Sequence, residues 1–65
     1  MSQEMSVGGK KIKIDSNGDI WVNGSSTGLK AWKGDPRRWM TKAGNEITEA
    51  KGMSLEQILK FKGFI

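Results

Sequence analysis

The sequence predicts a small α+β domain: an N-terminal β-hairpin, with or without a third short strand, packed on one or two C-terminal helices. Three observations predict it. KKIKIDSNGDIWVN (10–23) alternates apolar and polar residues around a turn signal, the apolar positions of 39–50 recur at helical spacing, and SLEQ (54–57) has the form of a helix capping box. The chain has 65 residues, so residues 10–65 are read as a single domain near the lower size for unaided folding, where about 60% of the unfolded surface is buried. With 35% hydrophobic residues and no cysteine for a disulfide, three Trp and two Phe must supply much of that burial.

Residues 1–9, MSQEMSVGG, are polar, end in Gly8-Gly9 and read as a flexible tail. They have neither the basic n-region nor the apolar run of a signal peptide.

The hairpin that follows has two possible registers. A two-residue Asn17-Gly18 turn would pair Ile14 with Trp21 and mix charge into both faces. A three-residue Ser16-Asn17-Gly18 loop pairs Ile14 with Ile20, Ile12 with Val22 and Lys13 with Trp21, which gives one wholly apolar face. The second register is preferred, although it sets Asp15 opposite Asp19. It puts Lys11, Lys13 and Trp21 side by side on the other face. There Trp21 either stacks on a base between two phosphate-binding lysines, or covers the hairpin with Lys13 over its ring.

Gly24-Ser25-Ser26-Thr27-Gly28 reads as a flexible loop rich in backbone N–H donors, without the spacing of a P-loop. Residues 29–33, LKAWK, fit a short strand or one helical turn equally. A helix is then predicted with Asp35 as N-cap, Pro36 at its first position, Trp39, Met40, Ala43, Ile47 and Ala50 on its apolar side and Gly52 as its stop. Gly44-Asn45 in its middle can split it into two short helices. The SLEQ box starts a final helix with Leu55, Ile58 and Leu59 on one side, and Phe61, Phe64 and Ile65 close the chain against the core.

Charge is unevenly spread. Net charge is +4, and residues 10–42 hold eight basic against three acidic side chains while 43–65 are neutral. Such a basic half fits an anionic polymer. Arg37 and Arg38 in the first turn of a helix oppose its dipole, and with the free N–H groups there they would form a phosphate site. Trp32 and Trp39 are expected inward, and Lys30, Lys33, Arg37 and Arg38 outward.

Other chemistry has little to stand on. Asp15-Ser16-Asn17-Gly18-Asp19 opens like a calcium loop but lacks the later acidic ligands, so a hairpin turn is the reading. No histidine or cysteine is present, which removes the usual bases, metal ligands and nucleophiles. No catalytic residue, metal or cofactor is expected. The lack of cysteine and of any membrane-length apolar run points to a soluble cytoplasmic protein.

The order of elements resembles the DNA-binding domain of bacterial nucleoid proteins of the H-NS and MvaT type. Ile14-Asp15-Ser16-Asn17-Gly18-Asp19 looks like their hairpin turn, Gly28-Leu29-Lys30-Ala31-Trp32-Lys33 like the helix start of the MvaT branch, and Gly52-Met53-Ser54-Leu55-Glu56-Gln57-Ile58-Leu59 like the closing segment of the H-NS branch. The resemblance implies a bare DNA-binding module, or a mimic that interferes with a larger protein. Its loop 24–28 carries no arginine, where the H-NS branch places one between small residues.

These readings converge on a small basic, non-enzymatic nucleic-acid-binding protein, of the bacterial or phage regulator kind, with DNA preferred over RNA. Lys11, Lys13, Lys30, Lys33, Arg37 and Arg38 would meet phosphates, and Trp21 with Gly24, Ser25, Ser26, Thr27 and Gly28 would approach bases or a groove. No membrane partner is expected, and the chain is read as a monomer or weak homo-oligomer. The rival reading is a phage- or mobile-element-type adaptor or inhibitor that docks on an acidic host protein through an exposed Trp ringed by basic residues.

Overall fold

Strand alternation puts apolar side chains on one face of the central hairpin, and the computed structural model, which describes residues 2–35 and 37–65, extends that face into a larger sheet. Five strands, β1 (Gln3–Val7), β2 (Lys10–Ile14), β3 (Asp19–Val22), β4 (Ser25–Ala31) and β5 (Trp39–Thr41), form one antiparallel meander in sequence order. A 3₁₀ turn (Thr48–Ala50) and a helix, α1 (Leu55–Phe61), complete a small α+β domain. The core is the inner face of the sheet, with Ile12, Ile20, Val22, Leu29 and Trp39 packed with Ile47, Ala50, Ile58 and Leu59. No helix is long and apolar enough to cross a membrane among the described residues.

The central hairpin has the three-residue register: Ile14 pairs with Ile20, Lys13 with Trp21 and Ile12 with Val22. The predicted repulsion between Asp15 and Asp19 is offset on one side only. Asp15 Oδ1 accepts the N–H groups of Asn17 (2.9 Å) and Asp19 (3.0 Å), whereas Asp19 Oδ1 is buried with no hydrogen-bond partner among the described residues.

Three expectations are corrected. The expected tail forms β1, because Gly8 and Gly9 both take positive φ and make a two-residue turn that pairs Val7 with Lys10. The expected loop 24–28 is mostly strand: Asn23 (φ 50°) and Gly24 (φ 84°) make a second such turn, and Ser25 begins β4 opposite Val22. An irregularity between Asp19 and Trp21 on β3 lets β4 carry extra residues, and the Thr27 hydroxyl fastens it by donating to Ile20 O at 2.8 Å and accepting the Leu29 N–H at 3.1 Å.

The third correction concerns the predicted helix after Asp35. Trp39–Thr41 instead pair with Leu29–Ala31, and the chain reverses around Gly44 so that the Ile47 N–H donates to Trp39 O at 2.9 Å. Aromatic and β-branched residues suit the open edge of β4, and Gly44-Asn45 penalises the helix that the same apolar spacing allows. Pro36, expected at the first helical position, lies outside the described residues. The final helix is as predicted, with Ser54 as N-cap in a full capping box with Gln57. Phe64 and Ile65 pack on the core as expected, but Phe61 points outward and is 51% exposed.

Gly18 is the tightest turn position: at φ 89° a Cβ there would sit 3.0 Å from Ala31 O, whereas a Cβ on Gly24 would meet nothing within 4 Å. Gly24→Ala should therefore cost about 1–2 kcal/mol from left-handed strain alone, and Gly18→Ala clearly more. Urea unfolding of the two variants checks the order.

Candidate nucleic-acid interface

The inward set of apolar residues fixes what the outer face of the sheet carries. Since Ile12, Ile20 and Val22 point into the core, Lys11, Lys13 and Trp21 point out, and the β2–β3 register sets Lys13 directly across from Trp21. Ser26 of β4 lies across from Trp21 on its other side. Lys42, just after β5, brings its Nζ to 3.5 Å from Ser26 Oγ and 5.9 Å from the centre of the Trp21 ring. Glu4, opposite Lys13 on β1, places an acid on this face, as does Asp15 through its bond to the Trp21 indole.

Trp21 is half-buried, and its indole N–H donates to Asp15 Oδ2 at 3.2 Å. That bond fixes the ring edge towards the β2–β3 turn. Beside the ring runs a groove of about 410 Å³ lined by Glu4, Lys11, Lys13, Trp21 and Gly24. It lies within the range of roughly 300–1,000 Å³ typical of small-ligand sites.

The predicted site residues therefore divide. Lys11, Lys13, Trp21, Gly24 and Ser26 come together. Ser25 is at the β4 start, Thr27 is spent on the bulge, and Gly28 O accepts the Lys42 N–H at 3.1 Å. Lys30 is half-buried between Asp19 and Met40 in neighbouring strands.

Lys33, Arg37 and Arg38 belong to the β4–β5 connection around Trp32, and among the described residues no helix begins there to make the expected phosphate site. Arg37 donates from Nη1 to Gly52 O at 2.8 Å. Arg38 lies 3.9 Å over the Trp32 ring and pairs with Glu46 at 2.9 Å. Both arginines are structural ties here, while Lys33 stays exposed. Trp39 is core, as expected, with its indole N–H donating to Met53 O at 2.9 Å, whereas Trp32, expected inward as well, is half-buried outside the core under Arg38.

Two members of the outer face were missed in the sequence. Lys42 was hidden by the helix reading, and pairing 39–41 with 29–31 would have brought it beside Ser26. Glu4 was hidden by the tail reading, and the signal for it was Gly8-Gly9, a two-residue hairpin turn.

Two carboxyls are perturbed. Partial burial pushes Asp15 up, but hydrogen bonds from the Trp21 indole and from the Asp19 and Asn17 backbones, with Lys13 nearby, outweigh it and hold the group below its ordinary value. The hydrogen bond from Arg38 holds Glu46 down against a smaller desolvation effect, and the same bond raises the Arg38 guanidinium. Compared with known protein families, curated proteins and solved structures, the chain finds no match. The stretch 28–33, likened above to a helix start, is β4 and its exit.

A carboxyl depressed on folding stabilises the fold above its unfolded pKa, and that contribution is lost as pH falls through the lower folded value. Stability should thus fall on acidification below about pH 4. Asp15→Asn and Glu46→Gln should each make that fall shallower, read as the urea midpoint against pH by tryptophan fluorescence.

Proposed function

We propose that this protein binds nucleic acid, without catalysing a reaction, through the outer face of its sheet. Lys11, Lys13 and Lys42 meet phosphates, and Trp21 offers its ring to a base in the adjoining groove. The observation that carries this reading is Trp21 itself. It is a half-buried aromatic held by its edge to Asp15, with lysines of β2 on one side and Lys42 on the other. A tryptophan needed only for burial would sit on the inner face, as Trp39 does. With residues 25–28 built into β4, the face reads as a stacking platform and not as a loop that enters a groove, which favours a single strand. Lys30, Lys33, Arg37 and Arg38 drop out of the proposed contact set.

Docking on an acidic protein is the second reading. One observation favours a protein partner: an apolar cleft of about 580 Å³ at one end of the core face, lined in part by Met5, Ile14, Trp32 and Leu55, although Asp15 and Asp35 also line it and no basic side chain among the described residues does. Binding through that cleft would depend on Trp32 and be indifferent to Lys11 and Lys13.

The test is a tryptophan-fluorescence titration with a single-stranded and a duplex DNA. Three phosphate contacts predict that affinity falls about 20-fold for the single strand, or about 40-fold for the duplex, between 50 and 200 mM salt. Lys11→Glu with Lys13→Glu should abolish binding, and Lys33→Glu should leave it within about twofold, as expected for a lysine outside the contact set. Absence of any quenching at low salt would overturn the proposal in favour of the protein-docking reading.

A further inference from the structure

β1 is an edge strand, paired with β2 on one side and with no strand on the other among the described residues. The register says which backbone groups it leaves free. The two-residue Gly8-Gly9 turn makes Val7 and Lys10 a hydrogen-bonded pair, and alternation makes Met5–Ile12 and Gln3–Ile14 hydrogen-bonded as well. The N–H and C=O of Glu4 and Ser6 therefore point away from β2. The far side of β2 agrees: the Asp15 N–H donates to Asp19 O at 3.0 Å and Lys11 O accepts the Asn23 N–H at 2.8 Å, which leaves Ile14, Ile12 and Lys10 to face β1.

Exposed edges are ordinarily blunted by a proline, a charged side chain (lysine above all), a bulge, very short length or a cover. The opposite edge of this sheet is blunted, since β5 has three residues and Glu46 bridges to Met40 across it. β1 has one of these devices, the exposed Glu4: Gln3-Glu4-Met5-Ser6-Val7 is otherwise five residues long, free of proline and lysine, and in unbroken register with β2.

We propose that β1 pairs with β1 of a second copy, antiparallel and centred on Met5, so that two sheets become one. In that register Glu4 faces Ser6 of the second copy as a hydrogen-bonded pair, twice by symmetry, and the groups left free by β2 are the ones that bond. Centring on Glu4 would set two carboxylates face to face, and centring on Ser6 would put Glu4 opposite the Gly8 turn. Charge agrees with the Met5 centre. Across the outer face the row reads Lys13, Glu4, then Ser6 and Lys11 of the second copy, so Glu4 lies between a lysine of its own chain and one across the seam. On the inner face Met5 meets Met5. A second copy is the occupant because the strand complements itself in register, hydrogen-bonding parity and charge. The pairing does not depend on nucleic-acid binding, although it would join two Lys11–Lys13 rows on one surface.

Sedimentation velocity from about 10 µM to 1 mM tests this, since a contact below the roughly 1,200 Å² of standard interfaces is weak and needs high concentration. The expected result is a dimer that dissociates on dilution, with the Glu4 and Ser6 amides exchanging more slowly as concentration rises. Ser6→Pro removes an N–H that β2 does not use, so it should leave the circular dichroism unchanged and weaken the dimer at least about tenfold. If Ser6→Pro fails to fold, amide exchange in the unmodified chain decides alone. Three results would overturn the proposal: a monomer at every concentration, a dimer in which those amides exchange freely, or a chain that stays monomeric yet takes up an unrelated extended peptide along β1.

Discussion

The Asp15 carboxylate is the interaction on which the rest of this structure depends. One oxygen collects the backbone N–H groups that define the three-residue turn, and the other holds the Trp21 indole. The turn sets the register of β2 against β3, and a slip of one residue would pair Ile14 with Trp21 and turn one strand's apolar set to the opposite face. Either Ile12 and Ile14 or Ile20 and Val22 would then leave the core, with lysines or Trp21 in their place. One short side chain thus couples the fold to the proposed binding face.

The sheet grows outward from that hairpin with little connecting chain. Two-residue turns at Gly8-Gly9 and Asn23-Gly24 add β1 and β4, and β5 closes the far edge. Nearly all the large apolar residues are spent on one side, where the strands meet Ile47, Ala50, Ile58 and Leu59. In so small a domain the outer face receives no second layer among the described residues, so what it carries is open to partners. A tryptophan there costs burial that the core could have used, and this is why its placement among lysines carries the functional proposal. The arginines, which looked the more attractive phosphate ligands in the sequence, serve instead to hold the β4–β5 connection to Gly52 and Glu46.

The sequence was most legible where one local rule had no competitor. The central hairpin followed from pairing Ile12, Ile14, Ile20 and Val22 on one face, and α1 followed from its capping box. It was least legible where one pattern served two periods. Trp39, Met40, Ala43 and Ile47 fit a helix by spacing, yet the free edge of β4 offered Trp39–Thr41 a ladder that no local signal announces. Asn23-Gly24 and Gly8-Gly9 were readable as hairpin turns, but their flanking residues, Ser25-Ser26 and Gln3-Glu4, are too polar to look like strands. Most of the outer face was nevertheless visible in advance: Lys11, Lys13, Trp21, Gly24 and Ser26. Lys42 and Glu4 became members only through long-range pairing.

The most direct test of this account is a nitrogen-15 correlation spectrum of the labelled chain titrated with a short single-stranded DNA at low salt. The Trp21 indole signal and the amides of Lys11, Lys13, Ser26 and Lys42 should shift together, while the Trp32 and Trp39 indoles and the α1 amides stay in place. Shifts centred on Trp32, Lys33 and Arg37, with Trp21 unmoved, would contradict it.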